Sequence, residues 1–366
     1  MMNQLNRRQW LRISGLTGVA SIFGTKWLPA NPNPTTENII RLSSNENPYG
    51  PSDRVKTAMR TAFEKVCRYP GRYQRELVEL LAKKHQVEKE NILMVAGSTE
   101  GLKLCGLTYG AHGGEIVAAD PVFKSLLTYA EHFGSYIHRV PVDEDLQHDL
   151  EAMKQRITQN VRMVFVCNPN NPTGSLLPAE KMRAFCREVS EQTMVFSDEA
   201  YFDYIETPNY PSMIELVKEG KNVVVSRTFS KVYGLAGIRI GYLIARPDII
   251  RRLSTAVMAR PNVLAIFAAI EALKDDTFYQ KSLEYNRLGK QKIYKTLDEL
   301  NLPYVKSHTN FVFFKSGKDI SEVIEGMKGG GIAIGRPFPP LREWCRVSTG
   351  KLEEVDAMCA ALKKVL

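Results

Sequence analysis

From about residue 75 onward the apolar positions alternate between a helical spacing and short uninterrupted runs. In R-E-L-V-E-L-L-A-K-K-H (75–85) the leucines recur on one helical face, whereas Ile92 to Ala96 is a compact apolar run of strand length. The same alternation predicts a helix over Leu102 to Tyr109, a strand over Glu115 to Ala119 and a helix over Val122 to Phe133. Further strands are expected at 135–142, 163–167, 193–197, 223–227 and 241–245, with helical segments at 149–157, 178–191 and 247–258. Strands that alternate with helices, and that are apolar throughout, imply an α/β fold whose mostly parallel sheet is covered on both faces. After Pro261 the pattern changes to a long helical stretch over 263–299, a strand at Phe311 to Lys315, a helix at 319–328, short strands at 332–335 and 344–348, and a closing helix from 351. The expected organisation is a leader over 1–30, an arm over 31–64 that packs on the small domain, a large domain over 65–258 and a small α+β domain over 259–366.

Composition narrows the function classes. With 366 residues, 44% of them hydrophobic and 24% charged, the chain can bury a sizeable core, and no apolar run reaches the roughly 18 residues of a mature membrane span. The net charge of +9 owes four positive charges to Arg7, Arg8, Arg12 and Lys26, in a leader without acids. The remaining basic residues are scattered rather than massed beside aromatics, which speaks against a nucleic-acid partner. Residues 6–12 read N-R-R-Q-W-L-R, followed by a moderately apolar stretch to Gly24 and by Leu28-Pro29-Ala30. This resembles a bacterial twin-arginine export signal, so a periplasmic location is expected, or a cytoplasmic one if the signal is not functional. N-P-N-P-T-T (31–36) reads as a link that cannot be helical. Six cysteines, at 67, 105, 167, 186, 345 and 359, form no C-x-x-C pair and no ligand-spaced cluster with histidine. Neither a metal site nor a disulfide is expected.

The candidate chemistry follows the predicted strands, where open α/β sheets bind ligands. G-S-T-E (97–100) opens a helix after the first strand, so the N–H groups of Ser98 and Thr99 face outward as an anion site; a plain small-residue cap is the ordinary alternative. The strand at 163–167 ends in N-P-N-N-P-T-G (168–174), where Asn168, Asn170 and Asn171 offer amides at the surface of a constrained loop. The strand at 193–197 runs into D-E-A-Y (198–201), and a carboxylate at Asp198 beside such an apolar run needs a cationic partner, unless it caps a helix. The strand at 223–227 leads into T-F-S-K-V-Y-G-L-A-G-I-R (228–239). There Thr228, Ser230 and Arg239 supply what a phosphate needs, and Lys231 can form a Schiff base if nearby positive charge lowers its pKa.

These motifs, in this order, resemble the class I/II aminotransferases, the fold type I enzymes that use pyridoxal 5′-phosphate (PLP), and within them the histidinol-phosphate aminotransferase subgroup. The resemblance is carried by S-N-E-N-P-Y-G-P (44–51), R-Y-P-G (68–71), N-P-N-N-P-T-G, D-E-A-Y, R-T-F-S-K-V-Y-G-L-A-G-I-R-I-G-Y (227–242), S-x-x-N-F (307–311) and R-V-S-T-G (346–350). It implies that Lys231 holds PLP covalently and then moves the proton at substrate Cα, while Asp198 pairs with the ring nitrogen. It further implies that Asn171 and Tyr201 bond the phenolate oxygen, and that Ser98, Thr99, Thr228, Ser230 and Arg239 bind the phosphate. Tyr69 matches a tyrosine that reaches the phosphate from a neighbouring subunit, which implies a homodimer with shared sites. Phe123 stands where the subgroup usually has a ring-stacking tyrosine, a departure that keeps the aromatic face but loses the hydroxyl. Arg346 matches the arginine that binds the substrate carboxylate or phosphate, with Asn171 beside it, and Arg336 is a second candidate anion contact.

The expected reaction is transfer of an amino group from an amino-acid-like donor, histidinol phosphate or an aromatic or other L-amino acid, to a 2-oxo acid such as 2-oxoglutarate. A PLP-dependent decarboxylase or C–S lyase on the same fold is the alternative, because the cofactor stabilises any Cα carbanion and the protein chooses the bond that breaks. A non-catalytic regulator or ligand-binding module would not need Asn171, Asp198, Tyr201, Lys231 and Arg239 together. Export would favour a donor other than that of a cytoplasmic histidine pathway.

Overall fold

The computed structural model describes residues 39–366; the paired arginines, the leader and the proline-containing link lie outside the described residues. In chain order the first half holds β1 (Ile40–Arg41), α1 (Asp53–Ala62), α2 (Gly71–His85), β2 (Ile92–Val95), α3 (Ser98–Gly110), β3 (Glu115–Asp120), α4 (Ser125–His132), β4 (Tyr136–Pro141), α5 (Leu150–Gln155) and β5 (Val161–Cys167). It continues with α6 (Ala179–Val189), β6 (Met194–Asp198), α7 (Ile214–Lys218), β7 (Val223–Thr228), β8 (Gly241–Ile244) and α8 (Pro247–Ser254). Then follow α9 (Val263–Leu273), α10 (Asp276–Glu299), β9 (Phe311–Lys315), α11 (Ile320–Gly329), β10 (Ile332–Ala333), β11 (Trp344–Ser348) and α12 (Leu352–Val365).

Seven strands form one sheet in the order β2-β8-β7-β6-β5-β3-β4. Neighbours from β7 through β4 are parallel, and β8 runs antiparallel to both β7 and β2. The uninterrupted apolar runs have a direct cause: successive residues enter two different cores. Val164 and Val166 of β5, Val195 of β6 and Val223 and Val225 of β7 pack on one face, with Leu77 and Leu81 of α2 and Phe185 of α6. Met163 and Phe165, Met194 and Phe196, and Val224 pack on the other, with Leu102 and Leu104 of α3 and Leu253 of α8. A strand buried on both faces has no polar alternation to show.

The long helix expected over 263–299 is two helices. Asp275 interrupts it, and its side chain accepts from the Phe278 N–H at 3.1 Å to cap α10. Ala265, Ile266, Ala269 and Ile270 of α9 lie in the first of the two cores, and this helix packs on α1 and α2. The C-terminal elements enclose a third core in which Ile293 and Leu297 of α10 meet Val312, Val347 and Met358. Its strands are the antiparallel pair β9 and β11 and the parallel pair β1 and β10, so the N-terminal arm is stitched to the C-terminal part. The short helix α7 has no counterpart in the sequence pattern, since five residues hold less than two helical turns. No helix among the described residues is long and apolar enough to cross a membrane.

Two adjacent residues fix the strand tips on which the site is built. Glu199 follows β6 and Arg227 lies near the end of β7; both are buried, with Arg227 Nη2 2.6 Å and Nε 2.9 Å from the Glu199 carboxylate. The guanidinium also lies 3.9 Å from the centre of the Phe202 ring. A two-pronged charge pair in this setting ties the two tips together directly behind Asp198 and Thr228.

Candidate active site

Because β2, β5, β6 and β7 run the same way, the residues that follow them gather at one edge of the sheet. They line a cavity of about 370 Å³ with Ser98, Thr99, Phe123, Asn171, Asp198 and Tyr201 on its wall. Ser230, Lys231 and Arg239 complete the sheet side, while Arg346 enters from β11 and Ser44, Asn45 and Glu46 from the arm.

Asp198 ends β6 and is 2% exposed. Its Oδ1 has no hydrogen-bond partner, and burial pushes the carboxyl up to about 7 against the opposing pull of the Ala200 N–H and of Lys231. Lys231 stands across the cavity with Nζ donating to the Asn45 carbonyl oxygen at 2.9 Å and lying 5.1 Å from the Tyr201 ring centre. Loss of water around the amine lowers its pKa to about 8, and the guanidinium groups of Arg346 and Arg239 push the same way. Glu46 and Asp198 oppose that shift without cancelling it.

The anion end is built from backbone. Gly97 precedes α3 with φ 83°, and a Cβ there would run into the Arg239 guanidinium, 2.8 Å from Cζ. Only glycine lets Arg239 lie against the opening turn of α3, where the free N–H groups of Ser98 and Thr99 meet the positive end of the helix dipole. Arg239 itself has φ 61° and donates from Nη1 to the Ala236 carbonyl at 2.7 Å. Thr228 does not line the cavity. It is buried beneath it and orients Ser230, with the two hydroxyls 2.9 Å apart and the Ser230 N–H donating to Thr228 Oγ1 at 3.1 Å.

Of the three asparagines after β5 only Asn171 faces the cavity. Asn168 donates to Tyr210 at 2.7 Å and accepts from the Leu177 N–H at 3.0 Å, while Asn170 donates to Thr173 at 3.0 Å and to the Pro121 carbonyl at 3.2 Å. The expectation that all three present amides at the surface is therefore corrected: two are internal staples that shape the loop. Arg346 donates from Nη1 to Asn171 Oδ1 at 2.7 Å and from Nη2 to the Ser43 carbonyl at 2.8 Å, and its buried Nε has no partner. Burial, with Arg336 nearby, lowers its pKa to about 10. Arg336 is exposed and shares the Phe338 ring with Arg346, at 4.5 and 4.9 Å from the ring centre. Tyr69 lies away from the cavity, 95% exposed, near the exposed Phe63 and Val66 in sequence. Among the described residues no cluster of His, Cys, Asp or Glu is placed to hold a metal, and all six cysteines are free thiols, Cys67 on the surface and five buried.

The model of the class I and II aminotransferases matches residues 37–362. The chain belongs to that family. A histidinol-phosphate aminotransferase of Moorella thermoacetica is 38% identical over 336 residues, 90% of this chain and 86% of that protein. One from Caldicellulosiruptor saccharolyticus is 37% identical over 90% of this chain and 92% of its own length. Among solved structures, the histidinol-phosphate aminotransferase of Sinorhizobium meliloti in complex with pyridoxal-5′-phosphate superposes with a TM-score of 0.84 at 28% identity, covering 89% of this chain and 90% of that one. This aminotransferase uses PLP, and the residues present fit that group. The unpartnered Asp198 oxygen is a ready acceptor for a ring N–H, the glycine-walled cradle beside Arg239 suits a phosphate, and Lys231 lines the same cavity.

Sequence reasoning assigned no role to Asn45, which lines the cavity, or to Ser348, which stands behind it. Asn45 is buried in the arm and touches Tyr201, Lys231 and Ser348, and Ser348 ends β11. The motif S-N-E-N-P-Y-G-P and the R-V-S-T-G run both marked their neighbourhoods, but only tertiary contact pairs them.

The lowered lysine pKa generates a test. The free base is the form that reacts with a carbonyl, so covalent capture of PLP by the apoenzyme, followed by stopped-flow absorbance, should quicken with rising pH through a midpoint near pH 8 and level off above it. Arg346→Ala removes a positive charge and should move that midpoint upward. A midpoint near 10 in the parent protein would contradict the arrangement described.

Proposed function

We propose that the amino donor is a phosphorylated, imidazole-bearing amine of the histidinol-phosphate type and that the acceptor is a 2-oxo acid such as 2-oxoglutarate. The observation that carries this reading is the buried Arg346, with an unpartnered Nε and with Arg336 against the same Phe338 ring. A guanidinium in the cavity wall with a second one close by, across a shared ring, suits a dianionic phosphate, and the fork of Arg346 suits the carboxylate of the acceptor. The names of the relatives point the same way.

Bound PLP supplies an electron sink for the pair of electrons left at Cα when its C–H bond breaks. The chain's residues do the rest. Lys231 removes the Cα proton and returns it at the far side of the transferred nitrogen, a role that needs an amine close to neutrality. Asp198 retains the proton on the ring nitrogen. Asn171 and Tyr201 donate to the phenolate oxygen, and Phe123 covers the ring face. Ser98 and Thr99 through backbone, with Ser230 and Arg239, grip the phosphate, and Thr228 supports Ser230 from below.

The assembly is a homodimer in this reading, with Tyr69 of each subunit reaching its partner's phosphate site. Its nearly complete exposure, beside the exposed Phe63 and Val66, supports that contact. The N-R-R-Q-W-L-R segment supports export to the periplasm after folding and cofactor loading, and it is the one feature that pulls against a donor from a cytoplasmic histidine pathway.

Three measurements test these points. Single-turnover titration of the PLP-loaded protein should give the amino form of the cofactor with histidinol phosphate and not with a panel of free amino acids; conversion by another donor alone would discard the proposed substrate. Mixing inactive Lys231→Ala and Tyr69→Ala chains should restore activity by pairing one intact site per dimer; no recovery in a verified mixed dimer would rule out sharing. Cell fractionation should recover the mature protein outside the inner membrane, and exclusive recovery of the full-length chain in the cytoplasm would overturn export.

A further inference from the structure

Asn45 is 2% exposed, sits in the left-handed region at φ 55°, and uses every polar group it has. Its backbone N–H donates to Ser348 Oγ at 2.8 Å, and its side-chain Oδ1 accepts from the same hydroxyl at 2.9 Å. With the serine oxygen accepting from the main chain and its proton given to Oδ1, the amide nitrogen is turned away from Ser348. The Asn45 Nδ2 therefore faces the Tyr201 oxygen, 3.0 Å away, while the Asn45 carbonyl receives Lys231 Nζ at 2.9 Å.

Tyr201 also accepts from Asn171 Nδ2 at 3.4 Å, and that amide is fixed because Arg346 occupies its oxygen. A phenol oxygen that accepts from two amides has only its own proton left to offer. Tyr201 lines the cavity, so this proton is directed there.

We infer that Asn45 is a positioning residue of the active site: its amide fixes the Tyr201 hydroxyl as a donor toward the cavity, its carbonyl holds the Lys231 amine, and Ser348 locks both. The lock sits on the strand that binds the substrate anion. Ser348 lies two residues from Arg346 on the same face of β11, its N–H donates to the Leu42 carbonyl at 2.8 Å, and Arg346 donates to the Ser43 carbonyl at 2.8 Å. The arm at Asn45 consequently follows β11. This inference rests on the reading that Tyr201 and Lys231 face the cofactor.

Asn45→Asp keeps the shape and reverses the bond. Ser348 still donates to one oxygen, but the other accepts the Tyr201 proton and turns it away from the cavity. In the PLP-loaded protein the pH midpoint of the cofactor absorbance should rise by about one unit, and the equilibrium Kd for PLP should weaken about tenfold, the worth of one hydrogen bond. Asn45→Gly, which tolerates the positive φ and keeps the carbonyl, should weaken PLP binding in the parent and add little in a Tyr201→Phe background. An unchanged midpoint and Kd for Asn45→Asp, or an equal cost of Asn45→Gly in both backgrounds, would overturn the inference. Should Asn45→Asp fail to fold by thermal melting, Ser348→Ala is read the same way: a smaller rise, restored by Ser348→Thr, is expected, and no rise overturns it. Borohydride reduction of the parent separates the two levels. A parent with no cofactor fixed on Lys231 would overturn the reading of Lys231 and this inference with it, whereas a labelled parent with unaffected variants would overturn the inference alone.

Discussion

A carboxylate oxygen without a partner, buried at the tip of the central strand, is the constraint around which the site is arranged. Asp198 Oδ1 is buried at the wall of the cavity and has no hydrogen-bond partner among the protein's own groups. Leaving a carboxylate in that state is costly, and the rise of its pKa to about 7 expresses the cost. A cationic ring N–H removes the deficit. In the function proposed above, binding of PLP and relief of the buried carboxylate are one event, and the Glu199–Arg227 pair ties together the strand tips beside it.

Lys231 faces the complementary problem. Its amine is withdrawn from water and shares the cavity with Arg346 and Arg239, so the proton is held less firmly than on an ordinary lysine. The protein thus places a carboxyl that gives up its proton late and an amine that gives up its proton early in one small volume. Their shifts have the same main cause, desolvation, and opposite signs because one group is charged when deprotonated and the other when protonated.

The arm joins these groups to the substrate's entrance. Leu42, Ser43 and Asn45 bond β11 through Ser348 and Arg346, and β1 pairs with β10, so the segment that closes the cavity belongs mechanically to the C-terminal elements. Arg346 belongs to a strand that is bonded both to the arm and, through Asn171, to Tyr201, so in the proposed function an anion held there acts on both. The lone departure at Phe123 leaves this framework untouched, since a ring face needs no hydroxyl to cover another ring.

The apolar runs by themselves determined the parallel sheet, because a strand buried on both faces cannot hide its continuous Val, Ile and Phe content. Part of the cavity wall was legible as well: G-S-T-E, Asp198 and the Ser230 to Arg239 segment stood out as candidates at strand ends, and the fold brings them to one cavity, whereas Thr228 lies outside its lining. The break between α9 and α10 was missed because an aspartate is tolerated within a helix, and only its capping of Phe278 ends one helix and starts the next. Which of Asn168, Asn170 and Asn171 faces the cavity could not be read, since all three share one loop and one side-chain chemistry; partners from Tyr210, Leu177 and Pro121 decide it. Asn45 and Ser348, 303 positions apart, show the same division most clearly. Sequence fixes which hydrogen-bonding groups a residue carries, but the direction in which an amide points is set by partners that only the folded chain brings within 3 Å.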